Sequence, residues 1–417
     1  MQAKLGLRYD SDRQISLAVC LQVFLVGIKN MLIQAFEGLY ENNMLLNLIL
    51  FAVAGVLYVV AYFSLGKRMA SFTPLCLGMI AFVVISFAGS AMIHSYGLVR
   101  YAEILIFFLP FCFLTAFMLT HLTTLEWIAY YMEKFAYITV AVALVCVITI
   151  LSVGHTTTSE WSTYSMSLSN VIMIAVMWLL FRYFERRRLS ALIGAALGIV
   201  GIVLCGSRNP LIAIVVYVVV KTLLKVISAK TPNRERWVYV IWSTAMILFF
   251  LFFEWIIQGV DALLAALGIY SRSVGLLADD LFFTSGRDAI HAQLVTAINQ
   301  SPLLGLGIGG DMETIGWGAH NLYLSVLSTY GYLLGSAVLL TLLVMLIAAF
   351  RKSRGVARET LILYSCLVIP RGFTGGDIFE SDVLWWLIGI MIVILSNQEA
   401  QKQSQAPELL DRREVQA

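Results

Sequence analysis

The chain has 417 residues, of which 60% are hydrophobic and 13% charged, and its mean hydropathy is +0.86. No soluble domain of this length could cover so much apolar surface, so the composition excludes a globular protein free in water. The net charge of +3 says little until the charges are placed, and no nucleic-acid partner is expected.

The opening MQAKLGLRYDSDRQ is polar and lacks the short apolar core and small-residue cleavage site of a removable signal peptide, so the first span is expected to direct insertion. Apolar runs of bilayer-crossing length then predict spans at 15–36, 44–65, 71–93, 102–119, 135–153, 168–184, 189–206, 210–228, 237–259, 322–349, 360–371 and 380–396. The span at 322 can begin as a separate short helix at the membrane surface. Period-two alternation is absent, which excludes a β-barrel. The expected fold is an all-α polytopic membrane protein with about 12 transmembrane helices. Nine lie in 1–259, and a long extracytoplasmic loop with short helices occupies 260–320. Three more fall in 321–397, and a disordered cytoplasmic tail follows at 398–417. The six cysteines sit inside or at the edges of apolar runs, without metal-ligand spacing, and read as packing residues.

Charge placement orients the chain. All but six of the 28 Lys and Arg fall in alternate loops or the termini, which predicts both termini in the cytoplasm. Lys29 lies within the first span. The other exceptions, Arg100, Arg208, Arg272, Arg287 and Arg371, fall on the outer side and are all arginine, the residue suited to bidentate recognition of phosphate and carboxylate.

Four stretches carry candidate chemistry. Gly206-Ser207-Arg208-Asn209-Pro210 is a tight outer hairpin that places Arg208 near the membrane interface, with a partner anion or lipid headgroups as alternatives. In FFTSGRDAIHAQLVTAI (282–298), Ser285 and Asp288 form a capping-box pattern that starts a helix, stopped by Asn299-Gln300-Ser301-Pro302. Arg287 would project from its first turn, where free N–H groups favour anions, with His291 on the same face; a solvated arginine beside Asp288 is the alternative. In LVIPRGFTGGDIFES (367–381), Arg371 follows a proline expected to end a short span, with Asp377 and Glu380 as alternative ion-pair partners. In GIGGDMETIGWGAHNLYLSVL (307–327), a glycine-rich acidic half, suited to an exposed loop, runs into an apolar helix with His320-Asn321 at the join. Arginines bind anions but cannot serve as bases, whereas a neutral His320 can accept a proton near pH 7. Asn321 would orient the ring or the substrate, and the glycines would let a bulky ligand approach the backbone.

Ser285-Gly286-Arg287-Asp288, the run Asn299–Asp311, His320-Asn321-Leu322 and the upstream Gly206-Ser207-Arg208 together resemble the O-antigen ligase/polymerase (Wzy/WaaL-like) superfamily, in order and spacing, over about 200–375. The resemblance implies a GT-C-like membrane fold and an inverting, metal-independent glycosyltransferase without a cofactor, at the periplasmic face of a bacterial inner membrane. The donor would be a glycan on undecaprenyl pyrophosphate. His320 would be the base, Arg208 and Arg287 would hold pyrophosphate, and Arg371 would assist. His291, Ser285, Asn321 and Asp311 would be supporting residues. The outer segment EGLYENN (37–43) holds Glu37 and Glu41 but no aspartate dyad of the metal-dependent kind. The acceptor would be a second lipid-linked glycan in a polymerase or the lipid A core in a ligase, with a chain-length regulator as a further partner. Gly309-Gly310-Asp311 followed by Gly-Ala-His-Asn sits closer to the polymerases. A secondary transporter or lipid-linked glycan flippase is the competing class. A transporter favours two six-span halves joined by a long cytoplasmic loop, whereas here the long loop is external and follows span nine.

Overall fold

In the computed structural model, the described residues are 2–36, 43–65, 73–93, 98–154, 166–205, 207–227, 232–266 and 287–396; all their regular structure is helical. The first half comprises α1 (Gln2–Ala35), α2 (Asn43–Leu65), α3 (Pro74–Ile93), α4 (Leu98–Phe107), a π-helical turn (Phe108–Phe113), α5 (Leu114–Thr120), α6 (Glu126–Gly154) and α7 (Met166–Arg186). The second comprises α8 (Leu189–Leu204), α9 (Arg208–Ile227), α10 (Asn233–Leu251), α11 (Phe253–Ala266), α12 (Arg287–Gln300), α13 (Gly310–Ile315), α14 (Leu322–Lys352), α15 (Gly355–Gly372) and α16 (Asp382–Ser396). Among the described residues, seven helices are long and apolar enough to cross a membrane, consistent with a polytopic membrane protein. An eighth arises if α10 and α11, bent by 65° at Phe252, count as one broken span. Helix therefore runs on past residue 259, where the ninth span was expected to end, but in a new direction.

Buried ion pairs fix which helix ends lie together. Glu133 on α6, 2% exposed, accepts from Arg182 at 2.5 Å and lies 3.5 Å from Arg188. Lys221 on α9, 1% exposed, pairs with Glu359 on α15 and, at 3.4 Å, with Glu185 on α7. A buried ion is tolerated only with such partners, so these contacts lock the register of α6, α7, α9 and α15 at a basic end of the bundle. The opposite end then carries the start of α9, the start of α14, the end of α15 and the start of α16.

The last helix lies at the centre. Every residue of α16 from Val383 to Ile394 is buried. Its 15 residues span about 22 Å, short of a bilayer's hydrocarbon core, but protein surrounds it where lipid would not match. Gly389 permits the close approach to α5, since a Cβ there would lie 2.9 Å from the Leu119 Cβ. By contrast only 11% of the most apolar window of α14 is buried, and Leu333, Leu340, Val344 and Ile347 form an exposed apolar surface, consistent with a membrane-spanning helix.

Two local features depart from regular helix. In the π turn, Pro110 lacks an N–H, the Leu114 N–H reaches back to Leu109 O, and Gln22 Nε2 donates to Pro110 O at 2.9 Å. α14 breaks at Gly331 (φ 75°, ψ 176°), leaving a short first segment from Leu322 ahead of the long outward-facing one.

Candidate functional site

The break in α14 organises the far end of the bundle. Breaking a helix frees carbonyls and N–H groups that need partners away from water. The Ser301–Gly310 segment supplies them: Leu306 N–H donates to Ser328 O at 2.6 Å and Gly307 N–H to Thr329 O at 3.1 Å. Tyr332 N–H donates in turn to Pro302 O at 2.7 Å. Ile308 N–H bonds the Ser90 hydroxyl of α3 at 2.8 Å, tying the segment to the bundle. Gly305, Gly307 and Gly309 adopt positive φ, and residues 305–308 are buried. The expectation of an exposed glycine loop is corrected for residues 307–311 and holds for much of 312–317, where Met312, Glu313, Thr314, Gly316 and Trp317 are exposed. Gly305 serves close packing of backbone on backbone, whereas Gly316, nearer His320, has open space beside it.

From here the chain is steered to His320. Asp311, 7% exposed, accepts from Met312 N–H at 2.9 Å and from Ala319 N–H at 2.8 Å, clasping the turn that contains Trp317. Ala319, Leu306, Leu294 and Ile298 form a small apolar cluster that seats α12 beneath this turn. His320 itself is exposed, takes an unusual positive φ of 47°, and has no side-chain partner among the described residues. A non-glycine residue pays for that conformation, which is found most often where position matters more than stability. Asn321 caps α14, its Oδ1 accepting from Tyr323 N–H at 3.0 Å and Leu324 N–H at 3.1 Å, while Nδ2 donates to Phe373 O at 3.4 Å. Its carbonyl oxygen is thus committed to the helix cap, and its amide nitrogen, with two N–H donors, gives one bond to the Phe373 carbonyl.

The turn after α15 closes the site. Arg287, at the start of α12, donates from Nη1 to Thr374 O at 2.7 Å. Thr374 and Gly375 N–H groups both bond Arg371 O at 3.0 Å. Arg287, Asn321 and the Arg371 turn are therefore brought together, with His320 next in sequence to the cap. Pro370 does not end α15 as expected: near the C-terminus it forfeits one N–H bond, and the helix continues through Gly372. The Arg371 guanidinium has no hydrogen-bond or ion-pair partner among the described residues, so neither Asp377 nor Glu380 neutralises it as a direct partner. Asp377 instead accepts from the Ser325 hydroxyl and from Phe379 N–H at 2.8 Å. Burial, with Asp311 and Glu380 nearby, pushes its carboxyl up to about 6 despite those two bonds. Sequence reasoning treated Asp377 only as a counter-ion and overlooked Ser325.

Arg208 begins α9, which packs antiparallel on α15. From the Lys221–Glu359 pair, Arg208 lies thirteen residues back along α9 and Arg371 twelve residues forward along α15, about 20 Å and 18 Å of helix rise. Their backbones therefore stand at the same level; the Arg208 side chain lies outside the described residues. So do Ser285, Glu37, Glu41, Arg272, residues 267–286, the Arg100 side chain and the tail 397–417. His291 sits one turn beyond Arg287, its Nε2 buried without a partner. Among the described residues no group of three or more His, Cys, Asp or Glu is placed to hold a metal ion.

Arg371 also lines a cavity of about 230 Å³ that runs inward between α1, α6 and α7. Asn30, Thr139 and Asn170 line it from these three helices, and Glu380 and Asp382 join Arg371. A polar side chain within a predicted span was the available signal for these residues. No protein-family model matches the chain, and no curated protein matches it either.

Proposed function

We propose that the protein is a membrane glycosyltransferase, a polysaccharide repeat-unit polymerase acting at the outer face of a bacterial inner membrane. In this reading the chain crosses the membrane about twelve times in a GT-C-like arrangement with both termini cytoplasmic. The observation that supports it best is the gathering of Arg287, His320-Asn321 and the Arg371 turn at one end of the bundle, joined by the Thr374 O and Phe373 O contacts. The basic residues that pair in the bundle belong to the other end, as the positive-inside tendency requires of a cytoplasmic face.

The chemistry is a single displacement. The acceptor hydroxyl oxygen attacks the anomeric carbon of the donor glycan, and its proton passes to the His320 ring. The bond from that carbon to undecaprenyl pyrophosphate breaks with inversion. Arg287, with Arg208 at the same end, would neutralise charge developing on the pyrophosphate. An exposed, unpartnered imidazole suits the base, because nothing competes for its lone pair.

The test supplies purified protein in nanodiscs with lipid-linked repeat units alone. Ladder products are expected, with His320→Ala and Arg287→Ala inactive and Arg287→Lys only partly active, since lysine lacks the planar fork. Transfer only when lipid A core is added would make the protein a ligase. Wild-type activity in His320→Ala would remove the base assignment.

A further inference from the structure

The cavity between α1, α6 and α7 has a composition that the pyrophosphate site does not explain. Thr139 is 6% exposed, and Asn30 and Asn170 are partly buried; none of the three has a side-chain partner among the described residues. Each asparagine offers two N–H donors and one carbonyl acceptor, and the threonine hydroxyl offers both roles. Thr139 is buried and the two asparagines are half-buried, so three polar side chains on three different helices line one space and leave hydrogen-bonding capacity open to a polar occupant. Phe24, Phe107 and Phe135 form apolar walls around them.

Charge narrows the class of occupant. One guanidinium, Arg371, lines the cavity with two carboxylates, Glu380 and Asp382. That balance lacks the positive excess a phosphate requires, whereas carboxylates and amides suit hydroxyl groups. An apolar lipid chain would leave Asn30, Thr139 and Asn170 without water and without partners. Size narrows it again. About 230 Å³ falls below the roughly 300–1,000 Å³ of sites for drug-sized ligands, enough for one ring and not for an oligosaccharide.

We propose that this cavity is a sugar subsite, taking a single uncharged sugar residue of the acceptor glycan through hydrogen bonds to Asn30, Thr139 and Asn170, with Arg371 and Asp382 as further hydrogen-bonding groups. The acceptor assignment rests on the glycosyltransferase reading above; the sugar site itself does not. It also separates the arginines by task, Arg287 and Arg208 serving the donor and Arg371 the acceptor.

The experiment uses full-length protein in nanodiscs and four probes, glucose, galactose, rhamnose and N-acetylglucosamine, with binding read by saturation-transfer NMR. At least one is expected to bind with millimolar affinity. Asn170→Ala and Thr139→Val should each weaken it about five- to tenfold, the loss of one or two hydrogen bonds. Thr139→Val is nearly isosteric, and thermal unfolding of both variants controls for folding. Failure of all four sugars to bind, or undiminished binding in both folded variants, overturns the proposal. Farnesyl phosphate is the competing probe; if its binding alone is lost in these variants, the cavity holds lipid and the proposal falls. Sugar binding that depends on both residues, in a protein giving no transfer from lipid-linked donor, would keep the sugar site and remove the glycosyltransferase reading.

Discussion

Gly305→Ala tests how the site is held to the membrane bundle. A Cβ on Gly305 would sit 2.4 Å from Gly331 N and 2.5 Å from Ser328 O, both backbone atoms that cannot swing aside. The backbone there has φ +71°, which costs a non-glycine residue about 1–2 kcal/mol before any clash. Relief requires the Ser301–Gly310 segment to lift off α14, breaking the three hydrogen bonds at Leu306, Gly307 and Tyr332. At about 0.5–1.5 kcal/mol each, the total comes to about 3–6 kcal/mol. Gly316→Ala is the internal control: φ is +75° but nothing lies within 4 Å of the added carbon, so only the conformational cost of about 1–2 kcal/mol remains. Hydrogen exchange with mass spectrometry on protein in nanodiscs reads the difference. The amides of Leu306, Gly307 and Tyr332 should exchange about a hundredfold faster or more in Gly305→Ala, since each 1.4 kcal/mol is tenfold, and change little in Gly316→Ala. Equal behaviour of the two variants would refute the stapled-break account of α14.

Asn321→Ala should lower stability by about 1 kcal/mol through loss of the helix cap, measured by thermal unfolding, with Asn321→Asp recovering most of it. Asp377 has its folded carboxyl raised to about 6 from an ordinary 3.8, so the folded state binds the extra proton between these values. Its contribution is fully present below the lower value and is lost as pH rises through the upper one. Asp377→Asn should therefore flatten the fall in stability across that window, as followed by chemical denaturation at stepped pH. Lys221→Ala should strand Glu359 and Glu185 and cost about 3 kcal/mol, the low end for a broken buried pair because Glu185 remains 32% exposed. Lys221→Ala with Glu359→Ala should recover part of that loss.

Hydrophobic run length located the long apolar helices, seven of which are long and apolar enough to cross a membrane among the described residues, while α12 was legible from its capping pattern. The cap at Asn321 is legible as a capping residue ahead of an apolar run, although the sequence reading makes Asn321 an orienter of the ring or the substrate. The helix break at Gly331 was foreseen only as a short helix ahead of the span. Its cause lies in backbone contacts with Gly305 and Pro302, about 25 to 30 residues away, and no local pattern encodes that pairing. The bend at Phe252 has neither glycine nor proline to mark it, only Glu254 in the first turn of the helix that follows. The glycines of 305–310 read as an exposed loop because composition cannot distinguish glycine needed for a turn from glycine needed for burial. Arg287 and Arg371 were recognised by their side of the membrane, while the Thr374 carbonyl that joins them belongs to the backbone and leaves no mark in the sequence.

The central place of α16 bears on how the site is held. Val383 to Ile394 are buried on every side, so without α16 the surrounding helices would enclose an unfilled space. The turn carrying Arg371 and Thr374 reaches its place only when α16 docks. Removing α16 would therefore leave a hollow in the bundle and release that turn.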